Sequence, residues 1–241
     1  MKILVVNDDS ISAPGLAVLA EAAMEFGDVW VVAPAHQCSA MSQKLSIRGV
    51  LKVEKVNDFP VPVKAAYKVD GTPVDCVKVA LQCILDEKPD YVFSGVNNGY
   101  NVGFEIAYSG TVGAAFEAVM NEIPAMAFSS TFDAPLTIAK QYLVPVVRDL
   151  LETRLDRGEV WNVNFPAVEP EALRGILWDR RIAPVRLFSN DYVETRLPDG
   201  AVTLAIHGAP LTASDIVPEG TDADAVLKGY ISVGKVKCTV L

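Results

Sequence analysis

The start of the chain alternates between strand and helix patterns, and this order constrains the fold more than any other feature of the sequence. Lys2–Val6 is a short apolar run rich in β-branched residues, which predicts a buried strand. Pro14 stands where a helix can begin, and Val29–Ala33 is a second apolar run. A strand–helix–strand opening is the unit of a doubly wound, mostly parallel sheet, so we expect an α/β fold.

The same alternation continues along the chain. Thr72 is the expected N-cap of one helix, and Pro145 should kink or divide a later one because proline interrupts helical hydrogen bonding. The predicted elements are strands around Val50–Val56 and Val61–Val69, a helix over Pro73–Leu85, a strand over Tyr91–Ser94, a glycine-rich segment Gly95–Gly110, a helix over Val112–Met120, a strand over Ala125–Ser129, a helix over Leu136–Thr153, a strand over Trp161–Phe165, a helix over Thr221–Lys228 and a strand over Tyr230–Val233.

The last third of the chain also carries a hairpin pattern. Two strand-like runs, Tyr192–Arg196 and Val202–Ile206, flank the turn sequence Leu-Pro-Asp-Gly. We expect one α/β domain over residues 1–241, from which a β-hairpin arm at about residues 185–210 projects. An exposed arm commonly pairs with a strand of another copy, so a homo-oligomer is expected.

Composition excludes several classes of function. The formal net charge of -9 would repel a long polyanion, so no long nucleic acid is expected as a partner, whereas a small phosphate ester could bind at a locally positive site. The four cysteines form no C-x-x-C pair and only two histidines are present, which argues against a zinc site. No apolar run is long enough to cross a bilayer, and Asp8 interrupts the apolar start too early for a signal peptide. We therefore expect a cytoplasmic protein without a membrane partner.

An acidic pair, Asp8-Asp9, follows the first predicted strand directly. In open α/β sheets, ligands bind beyond the carboxyl ends of the strands. Two consecutive carboxylates at that position repel each other unless a cation neutralises them. A helix cap with a solvated charge is the simpler alternative, but the position of the pair and its adjacency favour a cation site.

Three further segments are predicted to reach the same edge of the sheet. The loop after the second strand offers the hydroxyls of Ser39 and Ser42. The segment after the third strand offers the amides of Asn97, Asn98 and Asn101. Ser109-Gly110-Thr111 opens a helix, where free backbone N–H groups can bind an anion. Each segment alone could be an ordinary turn or helix cap. Together they offer oxygen ligands, which suit Mg²⁺ or Mn²⁺, beside an anion site, as hydrolysis of a phosphate monoester requires.

These residues belong to a series of motifs that resembles the SurE family of survival proteins. The motifs follow the family's order from the start of the chain to about the final strand. They are Ile3-Leu-Val-Val-Asn-Asp-Asp-Ser10, Ala13-Pro-Gly15, Val32-Ala-Pro34, Gly71-Thr-Pro-Val-Asp-Cys76, Ser94-Gly-Val-Asn97, Tyr108-Ser-Gly-Thr-Val-Gly-Ala-Ala115, Asn162-Val-Asn164, Gly220-Thr-Asp222 and Gly229-Tyr-Ile-Ser-Val233.

The resemblance implies a Rossmann-like domain whose hairpin arm joins dimers or tetramers. It implies a metal-dependent phosphomonoesterase that hydrolyses nucleoside 5′- and 3′-monophosphates, with exopolyphosphatase as a side activity. One divalent cation per subunit, Mg²⁺ or Mn²⁺, is implied. The family's metal ligands fall on Asp8, Asp9, Ser39 and Asn97, and we expect Asp8 or Asp9 to take the proton of the attacking water. Phosphate or substrate contacts are expected from Asn7, Ser42, Asn97, Asn98, Ser109, Gly110 and Thr111.

The sequence departs from the family pattern in two places. Phe104 and Glu105 stand where the family often has two acidic residues. The loop after Ser39 often reads Gly-x-x-Ser in the family, and here Ala40-Met41-Ser42 is followed by Gln43 and Lys44. The four inferred ligands are unaffected, so the changes bear on substrate range and on the shape of the pocket mouth.

Two other classes of protein share part of this pattern. A receiver domain also opens with a strand that ends in an acidic pair binding Mg²⁺. It would need a phosphoacceptor aspartate at the end of a central strand and a lysine after a later one, but Asp58 precedes Pro60 in a polar turn and no lysine follows Ala125–Ser129. The second alternative is a non-catalytic, Mg²⁺-dependent nucleotide-binding module, which Mg²⁺-dependent release of phosphate would exclude.

Overall fold

A nine-stranded sheet forms the centre of the molecule. The computed structural model describes residues 1–210 and 217–241. In chain order the strands are β1 (Lys2–Val6), β2 (Asp28–Pro34), β3 (Val53–Val56), β4 (Ala65–Val69), β5 (Tyr91–Asn98), β6 (Ala125–Ser130), β7 (Glu159–Phe165), β8 (Ile176–Arg180), β9 (Phe188–Arg196), β10 (Val202–Pro210) and β11 (Ile231–Lys237), of which β9 and β10 form a separate two-stranded sheet.

The large sheet has the strand order β3-β4-β2-β1-β5-β6-β7-β11-β8. Neighbouring strands from β4 to β7 pair in parallel, whereas β3 with β4 and β11 with β7 pair antiparallel. Strands β1 and β5 are buried along nearly their whole length, because helices cover both faces of the sheet. The predicted mostly parallel, doubly wound sheet is therefore confirmed.

Five described helices surround the sheet: α1 (Pro14–Met24), α2 (Pro73–Val79), α3 (Gly110–Met120), α4 (Thr137–Leu151) and α5 (Asp222–Leu227). Helices α1 and α4 share one apolar core with one face of the sheet. Helices α2 and α3 share a second core with the opposite face. The start of α3 lies beside the end of β1, where the site was predicted, because the hydroxyl of Thr111 donates to Oδ1 of Asp8.

Two boundaries near the predicted site, the end of α2 and the end of β5, differ from the prediction. Thr72 caps α2 as predicted, because its hydroxyl accepts from the N–H of Asp75 (3.2 Å), but α2 ends at Val79 and a π-helical turn over Ala80–Ile84 follows it. Strand β5 continues beyond Ser94 to Asn98. The predicted glycine-rich segment therefore begins inside a strand, and the amide side chains that it carries leave directly from the sheet.

Helix α4 runs through Pro145 as one helix, so the expected division is wrong. Proline removes the hydrogen bond that would reach the carbonyl of Gln141, one turn earlier. Both residues are exposed, and water can satisfy that carbonyl without breaking the helix. The buried residues of α4 form the opposite face of the helix, which leaves Pro145 on the exposed side, where it is tolerated.

The predicted hairpin is confirmed and its strands are longer than predicted. Strands β9 and β10 pair antiparallel from Phe188 with Pro210 to Arg196 with Val202. Its turn is closed by the N–H of Leu197, which donates to the carbonyl of Ala201 (2.8 Å). No sequence pattern had predicted strand β8. Among the described residues, no helix has both the length and the apolar character needed to cross a bilayer.

Candidate metal and phosphate site

The segments predicted to form the site meet at one edge of the sheet. Strand β1 pairs in parallel with both β2 and β5, so all three strands end on the same side. Asp8 and Asp9 leave from β1, Ser39 lies in the loop after β2, and Asn97 and Asn98 are the last residues of β5. The geometry of parallel strands thus brings together residues that are distant in sequence.

Asp8 is buried between the end of β1 and the start of α3. Its side chain is only 3% exposed, and its Oδ1 accepts a hydrogen bond from the hydroxyl of Thr111 (2.7 Å). Its carbonyl accepts from the N–H of Cys38 (2.7 Å), which fixes the loop that carries Ser39. Gly110 contacts Asp8 so closely that a Cβ added to Gly110 would lie 2.9 Å from Oδ2 of Asp8.

Asp9 and Asn97 are oriented by the segment at the end of β5. The N–H of Asn98 donates to Oδ2 of Asp9 (2.8 Å). The side-chain nitrogen of Asn97 donates to the carbonyl of Gly99 (2.7 Å). Because that nitrogen is engaged, the side-chain oxygen of Asn97 is the atom that can serve as a metal ligand.

The electrostatics of the acidic pair fit a bound cation. Burial raises the pKa of Asp8 to about 6 although the Thr111 hydroxyl lowers it, and repulsion from Asp9 raises it further. Burial also raises the pKa of Asp9, against the hydrogen bond from the N–H of Asn98. In addition, Oδ1 of Asn7 is buried and has no hydrogen-bond partner among the described residues. Two carboxylates that are costly to ionise side by side are stabilised when a cation lies between them.

The donor set fits a hard divalent cation. Within the described part of the chain, no three His, Cys, Asp or Glu side chains cluster as metal ligands do. The two carboxylates would therefore need neutral oxygens to complete a coordination shell. Ser39, in the loop after β2, and Asn97, near the end of β5, lie on the segments that flank them. Carboxylate, hydroxyl and amide oxygens are the ligands of Mg²⁺ and Mn²⁺.

The start of α3 supplies the candidate phosphate cradle. The side chain of Ser109 caps the helix by accepting from the N–H of Val112 (3.1 Å). Ser109, Gly110 and Thr111 are all buried at this end of the helix, next to Asp8. The Thr111 hydroxyl donates to Asp8, so this residue orients the carboxylate, a role the sequence did not indicate. Backbone N–H groups at a helix start favour an anion.

Ser42, predicted as a substrate contact, connects the loop after β2 to the segment before α3. Its N–H donates to the carbonyl of Tyr108 (3.0 Å), and its hydroxyl donates to the carbonyl of Ala107 (2.7 Å). Gly113 allows this approach, because a Cβ there would overlap the carbonyl oxygen of Ser42. The hydroxyl hydrogen of Ser42 is therefore engaged in a hydrogen bond within the protein.

A cleft of about 600 Å³ opens beside Asp9. Sequence reasoning did not identify it, although the loop after β6 also leaves a core strand at this edge and could have been found by that rule. That loop is held by Asn98 and Asp133, since the N–H of Asp133 donates to Oδ1 of Asn98 (2.8 Å). The residues that line the cleft include Asp9, Ser12, His36, Gln37, Asn98 and Leu136.

Comparison with known proteins places the chain in one family. The family model described as "Survival protein SurE" matches residues 3–184. The protein named 5′-nucleotidase SurE of Paramagnetospirillum magneticum is 39% identical over 97% of this chain and 88% of its own length. The protein named 5′-nucleotidase SurE 1 of Thermus thermophilus is 37% identical over 97% of this chain and 90% of its own length.

A solved structure agrees with these matches. The crystal structure of the SurE protein from Aquifex aeolicus superposes with a TM-score of 0.82 and 34% sequence identity, and the match covers 98% of this chain and 93% of that chain. The family match spans the acidic pair, both neighbouring loops and the start of α3. The chain belongs to the SurE family of survival proteins.

Proposed function

We propose that this protein is a metal-dependent 5′-nucleotidase, a phosphomonoesterase that hydrolyses nucleoside 5′-monophosphates, and also 3′-monophosphates, to nucleoside and phosphate. The observation that supports the proposal most directly is the buried contact of Asp8 with Gly110 and Thr111. This contact places the acidic pair, which could bind a cation, directly beside a helix start, which could bind a phosphate. Relatives that align over nearly the whole chain bear the name 5′-nucleotidase SurE. An exopolyphosphatase side activity is part of the proposal.

The SurE family implies a divalent metal cofactor, and the donor set described above fits one. We assign Asp8, Asp9, Ser39 and Asn97 as its ligands, with one Mg²⁺ or Mn²⁺ per subunit. A bound cation of this kind offsets the charge of the phosphate and lowers the pKa of a water so that it can attack phosphorus.

The residues of the chain would bind the ester and move the proton. The hydroxyl of Ser109 and the backbone N–H groups of Gly110 and Thr111 would hold the phosphate oxygens, because the N–H of Ser109 already donates to the carbonyl of Ile106 (3.3 Å). The partial positive charge of the helix start favours the negative charge that these oxygens carry. Asp8 or Asp9 accepts the proton of the attacking water. Asn7, Ser42 and Asn98 line the same edge of the sheet and complete the set of proposed contacts.

The cleft beside Asp9 suits the nucleoside part of such a substrate. Its volume of about 600 Å³ lies within the usual range for small-molecule sites. His36, Gln37 and Asn98 offer hydrogen-bonding groups, and Leu136 offers an apolar surface for a base. Phe104 lines a second groove together with Ser42 and Ser109, so this departure from the family pattern would act on the side of the site next to the start of α3.

The hairpin is the proposed contact between subunits of a homodimer or homotetramer. One of its faces carries apolar side chains that are largely exposed: Tyr192 (59%), Leu204 (55%) and Ile206 (68%). Apolar residues on an unpaired hairpin favour association with another chain. A cytoplasmic location stays a prediction.

The test is a panel of nucleoside monophosphates assayed with Mg²⁺, with Mn²⁺ and with a chelator. We expect metal-dependent release of phosphate, and nucleotide binding without release would instead indicate a binding module. Asp9→Asn should lower turnover by orders of magnitude while circular dichroism and melting temperature stay near those of the unaltered protein. Near-normal turnover of that variant would remove Asp9 from the mechanism. Ser39→Ala should weaken metal affinity more than stability, and unchanged affinity would exclude Ser39 as a ligand.

A further inference from the structure

Asn101 lies just beyond β5, and buried side chains from two neighbouring strands bind it. Its N–H donates to Oδ1 of Asn164 (2.9 Å), and its carbonyl accepts from Nδ2 of Asn162 (2.8 Å) and from Nδ2 of Asn164 (3.2 Å). Its own Nδ2 donates to the hydroxyl of Ser129 (2.8 Å). We call these four residues, Asn101, Ser129, Asn162 and Asn164, the asparagine cluster.

The asparagine cluster is closed to solvent. Its members are between 0% and 4% exposed. The amide of Asn164 matches the backbone of Asn101, since its oxygen accepts from the N–H and its nitrogen donates to the carbonyl. An apolar side chain at position 164 would leave both backbone groups buried without that partner, which is costly. The cluster therefore restricts Asn101 to one backbone position.

The cluster lies at one end of the segment that orients the proposed metal site. That segment runs from Asn97 to Asn101. It contains Asn97, whose side chain bonds to the carbonyl of Gly99 (2.7 Å), and Asn98, whose N–H donates to Asp9 (2.8 Å). The N–H of Gly99 also donates to the carbonyl of Ser130 (3.0 Å). The segment is thus held by β5 at its start and by the asparagine cluster at its end.

We propose that Asn162 and Asn164 are positioning residues, which act through Asn101 to set the direction of the Asn97 side-chain oxygen and of the Asn98 N–H. Neither residue is a ligand of the proposed cation. The inference rests on the proposed function, because it takes Asn97 and Asp9 as metal ligands. Residues that orient metal ligands commonly change metal affinity by about 10- to 100-fold when they are replaced.

Asn162→Ala is the variant that tests the positioning role most directly. It removes one donor to the Asn101 carbonyl, but Asn164 still pairs with that carbonyl. It also removes Oδ1 of Asn162, which is buried without a partner among the described residues, so the loss of stability should be small. The measurement is Mn²⁺ binding by electron paramagnetic resonance, without nucleotide. We expect affinity to fall by about 10-fold.

Val163→Ala is the matched control. Val163 lies between the two asparagines on β7, but its side chain packs into the core shared with α1 and α4, on the other face of the sheet. This variant should lower the melting temperature at least as much as Asn162→Ala and leave Mn²⁺ affinity unchanged. A merely structural role of Asn162 would give the two variants the same binding result.

Ser129→Ala is the second variant, and it removes only the bond to the side chain of Asn101. It should fold and weaken Mn²⁺ binding by several-fold, and it serves as the test if Asn162→Ala does not fold. Mn²⁺ affinity within about twofold of the unaltered protein in the folded variants would overturn the inference and leave the proposed function intact. Full Mn²⁺ affinity in Asp9→Asn would instead show that the metal site itself is wrongly assigned, and the inference would fall with it.

Discussion

Gly110 lies at the start of α3 against Asp8, and we expect its replacement by alanine to damage catalysis far more than stability. The new Cβ would lie 2.9 Å from both Cβ and Oδ2 of Asp8, whereas ordinary contact begins at 3.4 Å. The helix start or the carboxylate must therefore move by about 0.5 Å or more. Asp8 is 3% exposed and accepts a hydrogen bond from Thr111, so its carboxylate cannot move away from the new Cβ without disturbing its neighbours.

Gly110→Ala should cause a small loss of stability and a large loss of turnover, and the expected sizes of the two effects differ. Overpacking costs roughly 1–3 kcal/mol, and the higher helix propensity of alanine offsets about 1 kcal/mol of it, so the net loss of stability should be at most about 2 kcal/mol. A displacement of about 1 Å at a reacting centre can cost about 100-fold in rate, so we expect turnover to fall by about 10- to 100-fold. The assay is phosphate release from AMP at saturating Mn²⁺, with a melting curve of each variant.

Ala118→Gly is the control for Gly110→Ala. Ala118 is buried near the other end of α3, and glycine there costs about 1 kcal/mol in helix propensity without touching Asp8. This variant should keep normal turnover. If Gly110→Ala retained more than about half of the normal turnover, close packing against Asp8 would not be what fixes the carboxylate.

Two further predictions concern acid stability and assembly. The carboxylate of Asp75 accepts from the N–H of Thr72 and from the N–H and hydroxyl of Ser46; burial alone would raise its pKa, but these hydrogen bonds lower it. The ionised Asp75 side chain therefore stabilises the fold fully above the unfolded-state pKa of about 3.9, and this stabilisation is lost as pH falls through the lower folded-state pKa. In urea unfolding, Asp75→Asn should be less stable than the unaltered protein by about 2 kcal/mol at pH 6. This difference in the free energy of unfolding should disappear below about pH 4. An equal difference in the free energy of unfolding at both pH values would contradict a stabilising role of the ionised Asp75. Replacement of Leu204 and Ile206 by glutamate should reduce the proposed homodimer or homotetramer to monomers in light scattering, whereas Thr203→Glu, on the other face of the hairpin, should not. An unchanged mass in the double variant would exclude this face as the contact between subunits.

Several parts of the fold could be predicted because their signals are local. Lys2–Val6 is apolar throughout, Thr72 is followed three residues later by the acidic side chain that completes its cap, and Leu-Pro-Asp-Gly separates two strand patterns. Each signal depends on neighbours within a few residues, so tertiary structure had little to change. The π-helical turn over Ala80–Ile84, strand β8 and the tolerated Pro145 lacked such signals.

The sequence by itself determined the chemistry that is available: an acidic pair after a strand, hydroxyls and amides after its neighbours, and a helix start with glycine. Only the tertiary structure decided which atoms meet. The packing of α3 on the sheet brings Thr111 to Asp8, and the order of β5, β6 and β7 brings Asn164 to Asn101. These contacts join residues far apart in the chain, and no spacing pattern encodes them, because they depend on how whole helices and strands pack against each other.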